Sequence, residues 1–399
     1  MDEKKMRQAV AEWQTPFYLF DTDVLTERVK KIRSVVGGRA EICYAMKANP
    51  FLTGVLRDTV DSFEVCSPGE FRICERADIP MEKIVMSGVY KNPEDISYSV
   101  KNYKDKGVYT VESPAQWELL KQCSEEYDIQ LHVLLRLSAG SQFGMDEETI
   151  RGIVSERKTA PNLVIVGLQL FSGTQKRSAK KYRRELSRLN EFRKALERDY
   201  GLTSDRLEYG PGLPVSYFED EEDTGDELLK ILASELEQLD FRGKIVLEMG
   251  RFIAASCGSY VTSIADLKIS EGQRYCIADG GIHHVNYYGQ MMAMKKPPIR
   301  HLKRSAEAGT EERSTWTICG SLCTMNDVLV KQFPLEQPAI GDSLVFEKTG
   351  AYSVTEGISL FLSRPLPQVL LYSDRNGFCC VRENLYTDVL NYGESSQAK

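Results

Sequence analysis

Eight short apolar runs, separated by stretches of helical periodicity, fill residues 40–250 and limit the architectures open to this chain more than any other feature. They are Ile42–Ala45, Ser62–Cys66, Ile84–Met86, Val108–Val111, Leu131–Leu137, Leu163–Leu170, Arg206–Tyr209 and Ile245–Glu248. Apolar runs this short suit strands buried on both faces, and the helical stretches between them suit crossover connections. Ser67-Pro68-Gly69-Glu70 has capping-box spacing, and Ser113-Pro114 offers an N-cap with proline at the first helical position. Eight alternating units over about 210 residues predict a (β/α)8 TIM barrel, an α/β fold, with an open doubly wound sheet as the alternative.

Beyond residue 258 the texture changes to β-type runs between Gly, Pro and Asp turns. Tyr260–Ile264, Tyr275–Ala278, Thr315–Cys319, Leu344–Phe346, Val369–Tyr372 and Phe378–Val381 read as strands of an all-β C-terminal domain, which Phe17–Asp21 can join. The expected division is a barrel over 24–257 and a β-domain from 1–23 and 258–399.

A net charge of −7 argues against nucleic acid as the main partner, because phosphate contacts need clustered basic surface. The start, Met1-Asp2-Glu3-Lys4-Lys5, lacks the apolar core of a signal peptide, and no apolar run reaches the roughly 18 residues of a membrane span, so a cytoplasmic protein is expected. Ten unevenly spaced cysteines then read as reduced thiols. Cys319/Cys323 and Cys379/Cys380 lack partners at zinc-ligand spacing, so no metal is expected. From Lys176 to Arg198, basic residues accompany Tyr182, Leu186, Leu189, Phe192 and Leu196 at helical spacing, which predicts an amphipathic helix with a basic outer face. Glu219–Asp223 reads as an acidic loop.

The chemically suggestive residues fall at the C-terminal ends of the predicted barrel strands, the rim on which barrel enzymes build their sites. Lys47 closes the first run, in Tyr44-Ala45-Met46-Lys47-Ala48-Asn49. An amine among apolar neighbours is a Schiff-base candidate, since desolvation lowers its pKa and frees a lone pair. Arg136 lies near the end of the fifth run, Phe171-Ser172-Gly173-Thr174-Gln175 follows the sixth, Gly210-Pro211-Gly212 the seventh, and Glu248-Met249-Gly250-Arg251 closes the eighth. Glycine turns after late barrel strands let backbone N–H groups approach a phosphate.

In order and content these motifs resemble the fold-type III, alanine-racemase-like decarboxylases that use pyridoxal 5′-phosphate, the group of diaminopimelate and ornithine decarboxylases. The resemblance runs from Phe17 to about Pro367. Tyr-Ala-Met-Lys-Ala-Asn is similar to the cofactor-lysine motif, Glu248-Met249-Gly250-Arg251 to Glu-Pro-Gly-Arg, and Gly320-Ser321-Leu322-Cys323 with Asp327 to the segment of the catalytic cysteine. The resemblance implies that Lys47 anchors the cofactor and that Thr174, Gly210, Gly212, Gly250 and Arg251 hold its phosphate. Glu248 would pair with the ring nitrogen, and Arg136, Phe171 and Tyr352 would line the cofactor site. It further implies a homodimer in which Cys323 of one subunit protonates substrate in the other. Asp327 and His284 are expected on the substrate side, with the role of neighbouring His283 open.

Departures from the pattern bear on substrate. Phe171 stands where diaminopimelate decarboxylases usually carry a stacking His, Cys323-Thr324-Met325 where they read Cys-Glu-Ser, and Asn286-Tyr287-Tyr288 where they have Arg-Pro. Phe361 replaces a phosphate-proximal Tyr. These changes remove groups for a charged far end of the substrate. They resemble a secondary-metabolism subgroup acting on modified amino acids, including glutamyl groups on an acyl-carrier protein and siderophore intermediates. Two substrate expectations follow, a carrier-borne amino acid with the basic helix as docking face, or a free one. Diaminopimelate decarboxylation and a non-catalytic, cofactor-binding or regulatory homologue are the alternatives.

Overall fold

The computed structural model describes residues 1–304 and 313–393. Two compact units divide the chain. One comprises Thr26–Val215 with Asp223–Ile253, the other Met1–Leu25, Ser216–Glu222 and the chain from Ala254 onward.

Strand β1 (Phe17–Asp21) belongs to the second unit. The chain then lays down β2 (Glu41–Ala45), β3 (Ser62–Val65), β4 (Ile84–Met86), β5 (Val108–Val111), β6 (Leu131–Leu137), β7 (Leu163–Phe171), β8 (Arg206–Gly210) and β9 (Lys244–Met249), which close a parallel barrel in that order. Pairing of β2 with β9, with Cys43 opposite Glu248, seals it, so the barrel and not the open sheet is formed. The two predicted helix starts are real. Ser67 Oγ accepts from the Glu70 N–H at 3.2 Å and Ser113 Oγ from the Gln116 N–H at 3.2 Å, in each case with proline in the first turn. The Glu70 carboxylate reaches back one residue further than a capping box requires, to the Cys66 N–H at 2.6 Å, and so fixes the backbone at the end of β3.

The second unit holds β10 (Gly258–Ser270), β11 (Gln273–Ala278), β12 (Ile299–Leu302), β13 (Arg313–Cys319), β14 (Val328–Glu336), β15 (Ser343–Glu347), β16 (Gln368–Ser373) and β17 (Gly377–Arg382). Among the described residues they join β1 in a mixed sheet of order β14-β13-β11-β10-β1-β16-β17, with β15 bridging β10 and β12. Its core packs Phe17, Leu19, Val261, Val345 and Leu370 against Met6 of the helix Glu3–Glu12. Ser216–Glu222, expected within the barrel span as a loop, belongs here because Tyr217 packs edge-on to Tyr287 (centroids 5.7 Å apart) and Glu221 meets Lys295 at 3.4 Å.

The basic helix is Ala179–Tyr200, and its outer face differs from expectation. Arg183 pairs with Glu235 at 2.6 Å, Arg188 with Glu147 at 3.3 Å, Arg193 with Glu197 at 2.8 Å and Lys194 with Asp240 at 3.0 Å. Carboxylates on neighbouring elements and, at Glu197, on the helix itself therefore neutralise much of the charge that the linear sequence displays. Lys176 is not on that face at all. It precedes the helix and is 5% exposed.

Candidate active site

Lys47 sits in a short 3-10 turn, Met46–Ala48, just past the end of β2. Its ammonium lies 2.7 Å from Glu64 Oε2 and 3.6 Å from Cys66 Sγ, both delivered by the end of β3. The expected lowering of its pKa is overturned. Burial does oppose the charge, but attraction to Glu64 outweighs it and holds the amine well above the ordinary lysine value. Glu64 shows the converse, its carboxyl lowered because Lys47 and Arg136 overcome the desolvation that would raise it. Without cofactor, then, this is an ion pair rather than a free nucleophile, and a proton must leave before the amine can attack.

Across the barrel mouth the register of β6, β7 and β8 aligns Arg136, Gln169 and Glu208 side by side. Glu248, from β9, accepts a short hydrogen bond from the Gln169 amide. Burial first, and then repulsion from Glu64 and Glu208, raise its pKa well above the ordinary carboxyl value. Glu208 is wholly buried and accepts from Arg206 Nε at 2.8 Å. Glu248 is thus a buried acid facing other acids, a site suited to a basic nitrogen from outside the protein. Arg136 is buried in a 2.9 Å ion pair with Glu112, which also accepts from the Gly144 N–H at 3.3 Å.

The loops after β7, β8 and β9 form a close-packed turn cluster. A Cβ on Gly210 would fall 2.3 Å from Phe171 Cδ2, and one on Gly212, whose φ is +57°, would fall 2.1 Å from the Gly173 carbonyl oxygen. Only glycine permits that approach. Lys176 braces the turn from behind. Its backbone N–H donates to the Gly212 carbonyl at 2.8 Å, and its ammonium bridges Glu185 at 2.8 Å and the Gly210 carbonyl at 3.1 Å. The half-buried Thr174 hydroxyl makes no hydrogen bond among the described residues, while Gly250 and buried Arg251 follow β9 directly. An amine, an acid able to meet a ring nitrogen, an aromatic face at Phe171 and a glycine cradle with a spare hydroxyl fit pyridoxal phosphate.

In the second unit, Cys323 lies in the loop between β13 and β14 and is exposed. Asp327, expected on the substrate side, is put to another use. It is 3% exposed and its carboxylate accepts from the Ile282 N–H at 2.8 Å and the Leu322 N–H at 2.7 Å, tying down the Cys323 loop. His284 is likewise taken inward, with Nδ1 3.0 Å from the Tyr260 hydroxyl and its pKa pushed by burial and by His283 down to about 3. His283 lies tilted against the His284 ring, with centroids 3.6 Å apart. Tyr352, at φ +69°, and Phe361 occupy the stretch after β15.

The sequence reading gave no role to Glu64, Gln169 or Glu208. The available signal was a glutamate inside the apolar runs Phe63-Glu64-Val65 and Leu207-Glu208-Tyr209, because a lone acid in a buried strand needs a partner.

Residues 22–255 match the profile of the "Pyridoxal-dependent decarboxylase, pyridoxal binding domain" family. Among characterised proteins, the chain is 26% identical over 403 residues (94% of this chain, 92% of the other) to the L-glutamyl-(BtrI acyl-carrier protein) decarboxylase of Niallia circulans. It is 27% identical over 383 residues (88% and 93%) to a 2-[(L-alanin-3-ylcarbamoyl)methyl]-2-hydroxybutanedioate decarboxylase of Staphylococcus aureus. Diaminopimelate decarboxylase of Aquifex aeolicus is 25% identical over 368 residues (87% and 84%). The fold is that of the diaminopimelate decarboxylase of Helicobacter pylori solved with L-lysine, at a TM-score of 0.83, 23% identity and coverage of 97% of this chain and 98% of that one. The matched profile spans more than half of the sequence, and the chain therefore belongs to the pyridoxal-dependent decarboxylases, carboxy-lyases that work with pyridoxal 5′-phosphate.

Proposed function

We propose that this decarboxylase acts in secondary metabolism on a modified amino acid carried by an acyl-carrier protein. The observation that carries this reading is the Cys323 loop, whose one charged side chain, Asp327, is already held by two backbone N–H groups. Met325 is 96% exposed beside it, and Tyr287, at the position of the family arginine, is buried with its hydroxyl donating to the Glu347 carbonyl at 2.7 Å. Neither residue offers a charge to the ionised far end of diaminopimelate. A thioester-linked side chain has no such charge, and the Niallia circulans relative acts on a carrier-borne glutamyl group.

Bound pyridoxal phosphate supplies an aldehyde that condenses with amines and a ring that takes up the electrons released as CO₂ departs. The chain's residues then have these roles. Lys47 would anchor the aldehyde once its ammonium, paired with Glu64 at 2.7 Å, has lost its proton, and would yield its place to the substrate amine. Glu248 would meet the ring nitrogen and Phe171 would cover one face. Thr174, Gly210, Gly212, Gly250 and Arg251 would hold the phosphate, while Arg136 and Tyr352 would complete the lining. In a homodimer, Cys323 of one subunit returns a proton to the substrate α-carbon at the other subunit's barrel, making 24–257 the cofactor domain and 1–23 with 258–399 the contributor to the partner site. A cytoplasmic setting keeps the ten cysteines, free throughout the structure, reduced.

The test is CO₂ release with cofactor present, offered free L-amino acids, diaminopimelate and an L-glutamyl carrier thioester. The thioester is the expected substrate. Higher kcat/KM on diaminopimelate moves the protein to lysine biosynthesis, and bound cofactor without CO₂ from any amino acid marks a non-catalytic homologue. Two substitutions check individual roles. Cys323→Ala should lower kcat by about 10²- to 10⁴-fold, the span of a positioned proton donor, with cofactor absorbance unchanged. Gly210→Ala should weaken cofactor binding about tenfold, since the new methyl displaces Phe171 by overpacking worth ~1.4 kcal/mol or more, as read by fluorescence titration.

A further inference from the structure

The β-unit carries a basic trough with no assigned use. Its floor is one face of four strands. Lys268 on β10 pairs in register with Tyr275 on β11, and Tyr275 with Thr317 on β13. On β14 a bulge sets Lys331 and Gln332 opposite Thr317, because Trp316 pairs with Phe333 and Ile318 with Val330. Partners in register project to the same side of a sheet, so this row spans four strands and places Lys268 and Lys331 about 14 Å apart. The reverse face, with Cys276, Ile318 and Val330, is buried. Lys296 and Met294 wall one side and Leu322, Thr324 and Met325 the other, enclosing about 860 Å³.

Two properties define what can lie there. Lys268, Lys296 and Lys331 form no ion pair among the described residues, and the one carboxylate lining the trough, Asp327, is already held by two backbone N–H groups. On a chain of net charge −7, three unpaired lysines around one concavity are a local field that draws an anionic partner to that place. The trough also runs to the residues that flank Cys323. Its mouth bears Met294 and Met325, 66% and 96% exposed, flexible apolar contacts for a chain threading toward the cysteine.

We propose that this trough docks an acidic acyl-carrier protein, with Lys268 and Lys331 facing its acidic surface and the phosphodiester of its arm passing Lys296 toward Cys323. This rests on the carrier-borne reading above, and it moves the docking surface away from the basic helix, most of whose cations already have carboxylate partners. The spread across four strands fits a protein surface better than a single small anion.

The experiment uses holoenzyme and an acidic holo acyl-carrier protein, with binding read by calorimetry at low and at high salt. Lys268→Glu with Lys331→Glu should weaken binding at low salt by tenfold or more, and high salt should erase the difference. Lys180→Glu with Arg184→Glu, on the helix, should bind as wild type does. Carrier binding unaffected by the trough substitutions, or weakened by those on the helix, overturns the proposal. So does dissociation of the subunits by the trough substitutions in size-exclusion chromatography, which would make the trough a subunit contact. Turnover gives the second readout. KM for an L-glutamyl carrier thioester should rise far more than KM for the same amino acid on pantetheine alone. Because binding is read without chemistry, a wild-type protein that holds the carrier yet releases no CO₂ defeats the functional reading and not the docking one.

Discussion

Replacing Lys47 with alanine is expected to cut decarboxylation by about 10⁴-fold or more, the upper end for a positioned proton-transfer group before loss of covalent anchoring is added. The cofactor's visible absorbance should disappear on desalting. Borohydride, which fixes an imine irreversibly, should attach cofactor to the wild-type chain and not to the variant. The prediction is sharp because the buried lysines of the barrel are committed. Lys91 donates to the Gly88 carbonyl at 2.9 Å and Gln116 Oε1 at 3.1 Å, and Lys176 to Glu185 and the Gly210 carbonyl. Fold loss is checked beside it by melting temperature, because Glu64, whose side chain is 4% exposed, loses its partner and must take up a proton or stay charged and buried. Cofactor still trapped on the Lys47→Ala chain would place the anchor elsewhere and remove the assignment.

The barrel was legible because its strands are short apolar runs, several of them followed by a helix start signal, as at Ser67-Pro68 and Ser113-Pro114. In the β-unit the same method missed β12 and β14. Lys331-Gln332-Phe333-Pro334 reads as a break, yet β14 lies at a sheet edge, where proline's missing N–H costs no ladder bond. At the site, Lys47 and the glycine turns could be seen because they sit in linear motifs. Glu208 could not, since only the register of β7, β8 and β9 turns it into a neighbour of Glu248. Lys176 misled for a related reason. It adjoins a run of surface cations in sequence, but a buried carboxylate nine residues on, at Glu185, pulls it inside.

Glu248→Gln should separate stability from function in opposite directions. In the cofactor-free protein the raised carboxyl keeps its proton when folded and, above its ordinary value of 4.5, releases it on unfolding. That contribution is whole below 4.5 and is lost as pH climbs toward the folded-state value, at up to about 1.4 kcal/mol per pH unit. A glutamine keeps the hydrogen bond from Gln169 and cannot ionise. The cofactor-free variant should therefore melt above wild type at neutral pH, with a gap that widens as pH rises above 4.5 toward the folded-state value in differential scanning fluorimetry. Activity should move the other way. A ring nitrogen brought against Glu248 would be the cation that this acid lacks and would return the carboxylate to its ionised form, which in turn would keep the ring protonated and electron-accepting. The neutral amide of the variant cannot do this, and kcat should fall by about 10²- to 10³-fold, the usual loss for one preorganised electrostatic contact. A variant less stable than wild type at every pH would mean that Glu248 is ionised and paired in the folded chain. Full activity in the variant would mean that the ring nitrogen lies elsewhere. Only a buried acid kept waiting for an external base predicts both a gain in stability and a loss of rate from one atom exchanged.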